Sequence, residues 1–201
     1  MDYKQKQLIM KKVLIIQGHP DNTSFNFALG AAYKKGVLEA GGDVRELILR
    51  DLDFNPNLVH GYNKRTDLEP DLVQAQKDII WAEHIVLIHP LWWGGVPAIL
   101  KGFIDRTFLP HFAFKMRENS MLLDKLLKGR TGRIIYTTDQ PNWYYRWVNG
   151  RPSVNQLKKM TFEFCGIKPT RTLGLAPVRG SSDAKRKKWL DKVHLLGTKM
   201  K

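Results

Sequence analysis

Short continuous runs of apolar residues alternate along the chain with longer segments in which apolar residues recur every three or four positions. The first pattern is typical of strands buried on both faces of a sheet, and the second is typical of helices that pack on a sheet. Together they predict strands at 12–17, 43–49, 84–90, 132–139 and 170–178. They also predict helices at 24–42, 70–83, 97–108, 153–166 and 182–197, with Ser24 capping the first and a glycine pair ending it.

Strands and helices that alternate in this way predict a parallel sheet with helices on both faces. Because crossover connections are right-handed, few strand orders remain, and five strands favour the order 2-1-3-4-5 of flavodoxin-like doubly wound α/β folds. Ligands of such sheets bind beyond the carboxyl ends of the strands, near the point where the strand order reverses. The loops at 18–24, 90–96 and 138–151 are therefore predicted to form the functional site.

Composition limits the class of protein. The 201 residues are 43% hydrophobic and contain no glycine- or serine-rich linker, which predicts a single domain at 12–201 after an N-terminal extension at 1–11. The one cysteine, Cys165, excludes an intramolecular disulfide framework and favours a cytoplasmic protein. No apolar run is long enough for insertion into a membrane.

The formal net charge of +14 raises the question of an anionic partner. Much of the basic charge lies in local groups such as 185–188, and a solvated, lysine-rich helix face explains it without a partner. No nucleic-acid-binding motif accompanies the charge, so we expect no nucleic-acid partner. The histidines show no metal-ligand spacing, and no metal site is predicted.

The first predicted site loop, GHPDNTSFN, has the composition of an anion site. Gly18 permits a tight turn, Thr23 and Ser24 carry hydroxyls, and the helix that follows presents free backbone N–H groups. His19 adds a further donor for a phosphate. Taken alone, the loop is more typical of an ordinary capped helix, but its place after the first strand favours a phosphate site.

The second loop, PLWWGG, combines aromatic side chains with flexible backbone. Leu91, Trp92 and Trp93 can flank a planar ring, and the glycines that begin at Gly94 let the backbone approach that ring closely. A buried aromatic corner of the core is the alternative, but loops at strand ends in this fold lie at the surface. The loop is therefore interpreted as a platform for a flat ligand.

The third loop, TTDQPNWYYRWVNG, is dense in aromatic residues. Thr137, Thr138 and Asp139 stand where the fourth strand ends. The tryptophans and tyrosines that follow either wall a stacking site or form a dimer contact. A flat aromatic cofactor with a phosphate tail explains all three loops at once, which indicates a flavin nucleotide.

The segments GHPDNTSFNFAL and HPLWWGGVPAILKGFIDRTF, with TT at the end of the fourth strand, resemble the flavodoxin-like NAD(P)H:quinone oxidoreductases, the group of DT-diaphorase and the bacterial quinone reductases. The resemblance runs from about Lys12 to about Gly180. It implies a homodimer that binds FAD or FMN and passes hydride from NAD(P)H through the flavin to a quinone or a similar aromatic acceptor. A flavodoxin-type electron carrier and a flavin-based regulatory or sensor subunit are the alternatives.

The resemblance also implies a set of flavin-binding residues. The segment that holds the phosphates and the ribityl chain comprises His19, Thr23, Phe25, Asn26 and Ala28. The segments around the isoalloxazine ring comprise Pro90, Leu91, Trp92, Trp93, Gly94, Thr137, Thr138 and Asp139. The element SFN is typical of members that bind FAD, so FAD is favoured over FMN.

The chain departs from the family pattern in the third loop. It has TTDQP where TTGG is usual, so Asp139 replaces a glycine near the ring. Tyr145 matches the tyrosine that assists hydride transfer and is the predicted catalytic residue. Arg151 stands at the position of that tyrosine's histidine partner and cannot shuttle protons at neutral pH. The arginines of this loop either hold an anionic nucleotide or lie on a solvated basic surface.

Overall fold

The centre of the molecule is a five-stranded sheet in the computed structural model, which describes residues 10–64, 66–118 and 120–200. In spatial order the strands are β2 (Asp43–Ile48), β1 (Lys12–Gln17), β3 (His84–Pro90), β6 (Thr131–Thr137) and β7 (Thr170–Leu175). Every neighbouring pair is parallel. Since β6 and β7 are the fourth and fifth strands of this sheet along the chain, the predicted flavodoxin-like order 2-1-3-4-5 is confirmed.

Helices cover both faces of the sheet. On one face lie α1 (Phe25–Glu39) and α7 (Asp183–Lys199), and on the other lie α2 (Pro70–Trp81) and α3 (Ala98–Thr107). Side chains of β1 alternate between the two layers: Leu14 and Ile16 pack towards α2 and α3, and Val13 and Ile15 pack towards α1 and α7. None of the helices in the described part of the chain is long and apolar enough to cross a membrane.

The ends of the predicted elements differ from the observed ends by at most three residues. β2 stops at Ile48 because a 3₁₀ turn, Leu49–Asp51, follows directly. Ser24 occupies the N-cap position of α1 with extended backbone, but its hydroxyl makes no capping hydrogen bond, so the predicted capping interaction is wrong. After α1, Gly41 adopts a left-handed conformation with φ of +75°, as the predicted glycine stop requires.

The third predicted loop contains a helix that the sequence pattern did not show. α4 (Asn142–Trp147) begins after Pro141 and buries Tyr145. A continuous helical stretch then runs through α5 (Pro152–Asn155), a π-helical segment (Gln156–Phe162) and α6 (Glu163–Cys165). Arg151, which has a left-handed φ of +53°, separates α4 from this stretch. Aromatic residues have modest helix propensity, which hid α4 in the sequence.

A second small sheet lies outside the parallel sheet. It is an antiparallel pair of β4 (Phe114–Met116) and β5 (Leu123–Lys125), between α3 and β6. No regular structure was predicted here, because strands of three residues are too short to show an alternation of apolar and polar positions.

The long segment between β2 and α2 is held to α3 by a buried arginine. Arg106 is 1% exposed, and its guanidinium pairs with Glu69 at 2.7 Å. The same guanidinium donates to the carbonyls of Asn55 and Asp67. This anchor fixes both ends of the segment against the core.

The amino-terminal boundary of the domain stays a prediction. Of the proposed extension at 1–11, residues 1–9 lie outside the described residues. Lys11 donates from Nζ to the carbonyl of Met200 at 2.7 Å, and its own carbonyl accepts the N–H of Asp43 at 3.0 Å. The described end of the extension therefore contacts β2 and the end of α7.

Candidate functional site

Two of the three predicted site loops, those after β3 and β6, line a cavity of about 460 Å³ at the carboxyl edge of the sheet, and no residue of the loop at 18–24 is among its lining residues. Its volume is within the usual range for small-molecule sites. Its walls come from the loop after β3 and from the segment after β6. The lining residues are Leu91, Trp93, Gly94, Thr138, Asp139, Gln140, Tyr145, Asn149 and Pro152.

The loop after β3 forms a tight turn at the rim of the cavity. Trp92 and Gly95 exchange both backbone hydrogen bonds, at 3.2 and 2.8 Å. The two residues between them have positive φ, +53° at Trp93 and +71° at Gly94. Such a conformation suits glycine and is strained by about 1–3 kcal/mol for a tryptophan. The strained backbone holds the Trp93 side chain fully exposed beside the cavity.

The loop after β1 brings polar groups to the start of α1. The carboxylate of Asp21 accepts the N–H and the hydroxyl of Thr23, each at 2.8 Å, so the hydroxyl of Thr23 donates within the loop. The hydroxyl of Ser24 is buried and has no hydrogen-bond partner among the described residues. It lies at the positive end of the α1 dipole, where an anion is favoured.

His19 is poised as a neutral donor next to this helix start. Its Nδ1 accepts the backbone N–H of Asp21 at 2.9 Å, so a neutral ring carries its proton on Nε2. Burial lowers the pKa of His19, and the charge of Asp21 only partly opposes this. The imidazole ring packs against the ring of Trp92 with the centroids 5.5 Å apart and the planes at 74°, which joins the first loop to the second.

Asn26 and Thr137 form a buried link beneath the loops rather than part of the cavity wall. The amide of Asn26 donates to the hydroxyl of Thr137 at 3.0 Å, and the amide of Gln17 donates to the carbonyl of Asn26 at 3.4 Å. Both predicted residues are almost fully buried. Their hydrogen bond joins the start of α1 to the end of β6, and it thereby fixes the first loop relative to the third.

Phe25 and Ala28 lie on α1, outside the cavity. The Phe25 ring packs against Trp189 of α7 with the centroids 6.1 Å apart, and the guanidinium of Arg186 stands 5.7 Å from the ring of Phe25. Ala28 is exposed on the same helix. An aromatic and cationic surface thus adjoins the amino-terminal end of α1, and its members from α7 were not predicted from the sequence.

Tyr145 lines the cavity but is fully buried as a side chain. Its hydroxyl shares a 2.8 Å hydrogen bond with Ser153, and its ring lies 5.6 Å from that of Tyr136. Burial and, second, the nearby Tyr145 raise the pKa of Tyr136. The partner of the Tyr145 hydroxyl is therefore Ser153 and not Arg151. Ser153 was not predictable from the sequence, because its pairing with Tyr145 depends on the turn at Arg151.

Asp139 is turned towards the loop after β7. Its carboxylate accepts the backbone N–H of Arg179 at 2.8 Å and pairs with Arg179 Nε at 3.3 Å. This contact joins the third loop to the segment that leads into α7. Behind it, Asn149 donates to Gln140 at 3.2 Å. Gln140 and Asn149 both line the cavity, and nothing in the sequence pattern of this polar loop predicted that they would.

The residues at this edge fit a planar ring with an anionic tail. The unpartnered hydroxyl of Ser24 stands at a helix N-terminus, and the Nε2 of His19 is a second donor for a negative group. The strained turn at Trp93 presents an aromatic face beside an open cavity. Two predicted residues remain. Pro90 is the buried last residue of β3, and Trp92 contacts His19.

Three comparisons place the chain among known proteins. The sequence profile of a family described by its flavodoxin-like fold matches residues 11–195. A Haemophilus influenzae protein named as an uncharacterized NAD(P)H oxidoreductase is 33% identical over 159 residues, 77% of this chain and 78% of its own. NAD(P)H dehydrogenase (quinone) 1 of Cavia porcellus is 31% identical over 195 residues, 83% of this chain and 70% of its own. The crystal structure of Smu.1420 from Streptococcus mutans superposes with a TM-score of 0.82 at 33% identity, covering 94% of this chain and 99% of that one.

Proposed function

The chain belongs to the family with the flavodoxin-like fold, and we propose that it is a flavin-dependent oxidoreductase that takes hydride from NAD(P)H and reduces a quinone or a similar aromatic acceptor. The observation that carries the proposal is that the loops after β3 and β6 meet at one open cavity. Beside them the loop after β1 leads into α1, where the hydroxyl of Ser24 has no partner among the described residues. The relatives named as NAD(P)H oxidoreductases support the same activity.

The chain's own residues bind and orient the reactants. A bound flavin supplies the redox chemistry, since it accepts hydride from a nicotinamide and returns two electrons to an acceptor. In this proposal the start of α1, with Ser24 and His19, binds the phosphates, and Trp93 with Leu91 holds the ring. The open side of the cavity admits the nicotinamide and the acceptor in turn.

Tyr145 is the proposed catalytic residue. Its phenol is placed at the cavity wall and is fixed by Ser153 at 2.8 Å. A phenol held in this way can donate the proton of its hydroxyl to a reacting group in the cavity, and the Ser153 hydroxyl can donate a hydrogen bond to the phenolate oxygen that is left. Water that enters the open cavity returns the proton to the phenolate. Arg151 stays positively charged throughout and contributes its charge rather than a proton.

We further propose FAD rather than FMN as the bound flavin. The support is the surface formed by Phe25, Trp189 and Arg186 next to the start of α1. An adenosine group attached to the second phosphate would find aromatic faces and a cation at this place. Release of the flavin by acid and chromatography against FAD and FMN standards tests this point. Recovery of FMN alone from freshly purified protein would contradict it.

The test of the proposed activity is an absorbance spectrum of the purified protein under anaerobic conditions. We expect a flavin spectrum that NADPH bleaches and that menadione then restores. Bound flavin that ignores both NADPH and NADH would favour the flavodoxin-type electron carrier or the sensor subunit. Protein that takes up neither FAD nor FMN would refute the interpretation of all three loops.

The homodimer and the cytoplasmic location are proposals of the same kind. An apolar surface whose residues are not among those lining the cavity supports self-association, and its Tyr62 is 71% exposed. Tyr62 borders a groove of about 530 Å³ that also takes in Leu58, Leu109 and Phe112. Sedimentation velocity of the wild type and of Tyr62→Asp tests whether this surface joins two copies. The buried thiol of Cys165 is compatible with a reducing compartment.

A further inference from the structure

One carboxylate gives the wall of the cavity its charge. Of the described residues that line the cavity, Asp139 is the one with a charged side chain. Its neighbours along the chain, Thr138 and Gln140, line the cavity as well, so the segment that carries the carboxylate forms the wall at this place. A charge in such a position acts on any ring or ion that occupies the cavity.

The loop after β7 fixes the position of this carboxylate. The backbone N–H of Arg179 donates to Asp139 Oδ1 at 2.8 Å. Two further hydrogen bonds join the same segments: the N–H of Thr138 donates to the carbonyl of Leu175, and the N–H of Val178 donates to the carbonyl of Thr138, each at 3.1 Å. Because all three donors are backbone groups, these contacts do not depend on the side chain at position 179.

The side chain of Arg179 brings a cation to the same carboxylate. Its Nε lies 3.3 Å from Asp139 Oδ2, and the side chain is 88% exposed. Water therefore surrounds most of the guanidinium and screens the attraction between the two charges. Arg179 is also not among the residues that line the cavity. It compensates the negative charge of Asp139 only in part, and a negative contribution remains at the wall.

Two other cations act near this wall. Burial and then Tyr145 raise the pKa of Tyr136, and the charges of Arg151 and Arg146 oppose that rise. The ring of Tyr136 lies 5.6 Å from that of Tyr145, which lines the cavity. Asp139 is therefore the negative member of a group of charges that together determine how well the cavity accommodates an anion.

We propose that Asp139 disfavours negative charge on a ring bound in the cavity, and that Arg179 limits this effect. The proposal rests on the proposed function, in which that ring belongs to a flavin. Hydride transfer to a flavin adds two electrons and one proton, so the ring carries one negative charge until a second proton arrives. The carboxylate destabilises this reduced form relative to the oxidised form. Asp139 thereby makes the site a stronger donor of electrons and extends its range to acceptors that are harder to reduce.

The test is the midpoint potential of the bound flavin at pH 8 and low ionic strength, measured by equilibration with a reference dye. Asp139→Asn removes the negative charge and keeps an oxygen that can accept the N–H of Arg179, whereas Arg179→Gln removes the cation and keeps that N–H.

The size of the cavity sets the expected effect. A cavity of about 460 Å³ is about 10 Å across, and one unit charge at that distance in partly wet surroundings changes an equilibrium constant about threefold. We expect Asp139→Asn to raise the potential by about 14 mV, which is this factor for a two-electron couple. Since the guanidinium is more exposed, Arg179→Gln should lower the potential by about 9 mV, a factor of about two.

The opposite signs separate an effect of charge from a loss of structure, because a disturbed loop would shift both variants in the same direction. Arg179→Lys keeps the charge and should match the wild type. Asp105→Asn breaks an ion pair with Lys101 on α3, outside the cavity lining, and should leave the potential unchanged. Shifts of the same sign in Asp139→Asn and Arg179→Gln, or an equal shift in Asp105→Asn, would overturn the proposal.

Failure of this proposal is distinguishable from failure of the proposed function. Bound flavin that neither NADPH nor NADH reduces would contradict the proposed activity, and opposite shifts of the potential would still support the role of Asp139. Flavin that NADPH reduces, with the same potential in the wild type, Asp139→Asn and Arg179→Gln, would refute the role of Asp139 alone. Protein that binds no flavin would refute both.

Discussion

Two buried histidines on β3 are expected to make the stability of the protein depend on pH. His84, at the start of the strand, accepts or donates hydrogen bonds at both ring nitrogens, to Tyr33 at 3.0 Å and Thr131 at 2.7 Å. Burial, aided by nearby positive charge, lowers its pKa to about 3. His89, at the end of the strand, is also fully buried, and burial lowers its pKa to about 4. Both rings are neutral in the folded protein at pH 5.

The size of the effect follows from the unfolded chain, in which a histidine has a pKa of about 6.5. Because the folded pKa values lie below the unfolded one, the unfolded state takes up more protons as the pH falls. Stability is therefore fully present above pH 6.5 and is lost below it. At pH 5 the loss is about 2 kcal/mol for each histidine, or about 4 kcal/mol for the pair. Both folded pKa values are below 5, so the loss of stability between pH 8 and pH 5 depends very little on their exact size.

Urea unfolding between pH 5 and pH 8 measures this loss directly. The wild type should lose about 4 kcal/mol from this pair across the range, to which His19 adds because burial lowers its pKa as well. His89→Leu should lose about 2 kcal/mol less than the wild type. Carboxyl groups do not interfere in this window: hydrogen bonds lower the pKa of Asp21 and Asp124, whose contributions are lost only below about pH 4. A free energy of unfolding that stays constant from pH 8 to pH 5, or an unchanged slope in His89→Leu, would refute the reasoning.

Three substitutions give further tests. Gly197→Ala would place a methyl group 2.2 Å from the carbonyl oxygen of Tyr33, where α7 crosses α1. We expect chemical denaturation to show a loss of about 2 kcal/mol, although alanine normally favours a helix. Arg106→Ala removes the cation beside Glu69 and the donor to the carbonyls of Asn55 and Asp67, and leaves Glu69 with the backbone N–H of Asn55. A loss of about 3 kcal/mol together with faster proteolysis within 52–69 should follow. Tyr145→Phe should lower kcat on the order of a hundredfold while flavin content stays constant, and unchanged turnover would exclude the proposed proton transfer.

The parallel sheet and the place of the site were predictable because their signals are local. β3 is a continuous apolar run, and its burial on both faces follows from helices that the same sequence predicts on either side. Once the strand order was predicted, the carboxyl ends had to meet, which brought Gly94 and Thr138 to one cavity. No contact between distant residues was needed for these conclusions.

The unpredicted features depend on contacts that no local pattern records. Ser153 meets Tyr145 only because Arg151 adopts a left-handed conformation between α4 and α5. Arg106 reads as a surface residue of α3, and its burial depends on partners at Asn55 and beyond, more than thirty residues away. The hairpin of β4 and β5 pairs strands too short to show alternation.

The two ends of β3 differ in a way that separates stability from function. At the amino end both ring nitrogens of His84 are hydrogen-bonded, and the residue belongs to a satisfied buried network. At the carboxyl end the Nε2 of His89 is buried without a partner among the described residues, and so are Gln17 Oε1 and Ser24 Oγ. Each such group costs about 1–3 kcal/mol, and the strained Trp93 adds to this. Three of the five unpartnered buried polar atoms in the described part of the chain lie at this edge, and Thr66 and Thr107 hold the other two. Folding alone does not account for this concentration beside the strained turn. A bound ligand there has polar partners to satisfy, which is the physical reason to place the function at the carboxyl ends of the strands.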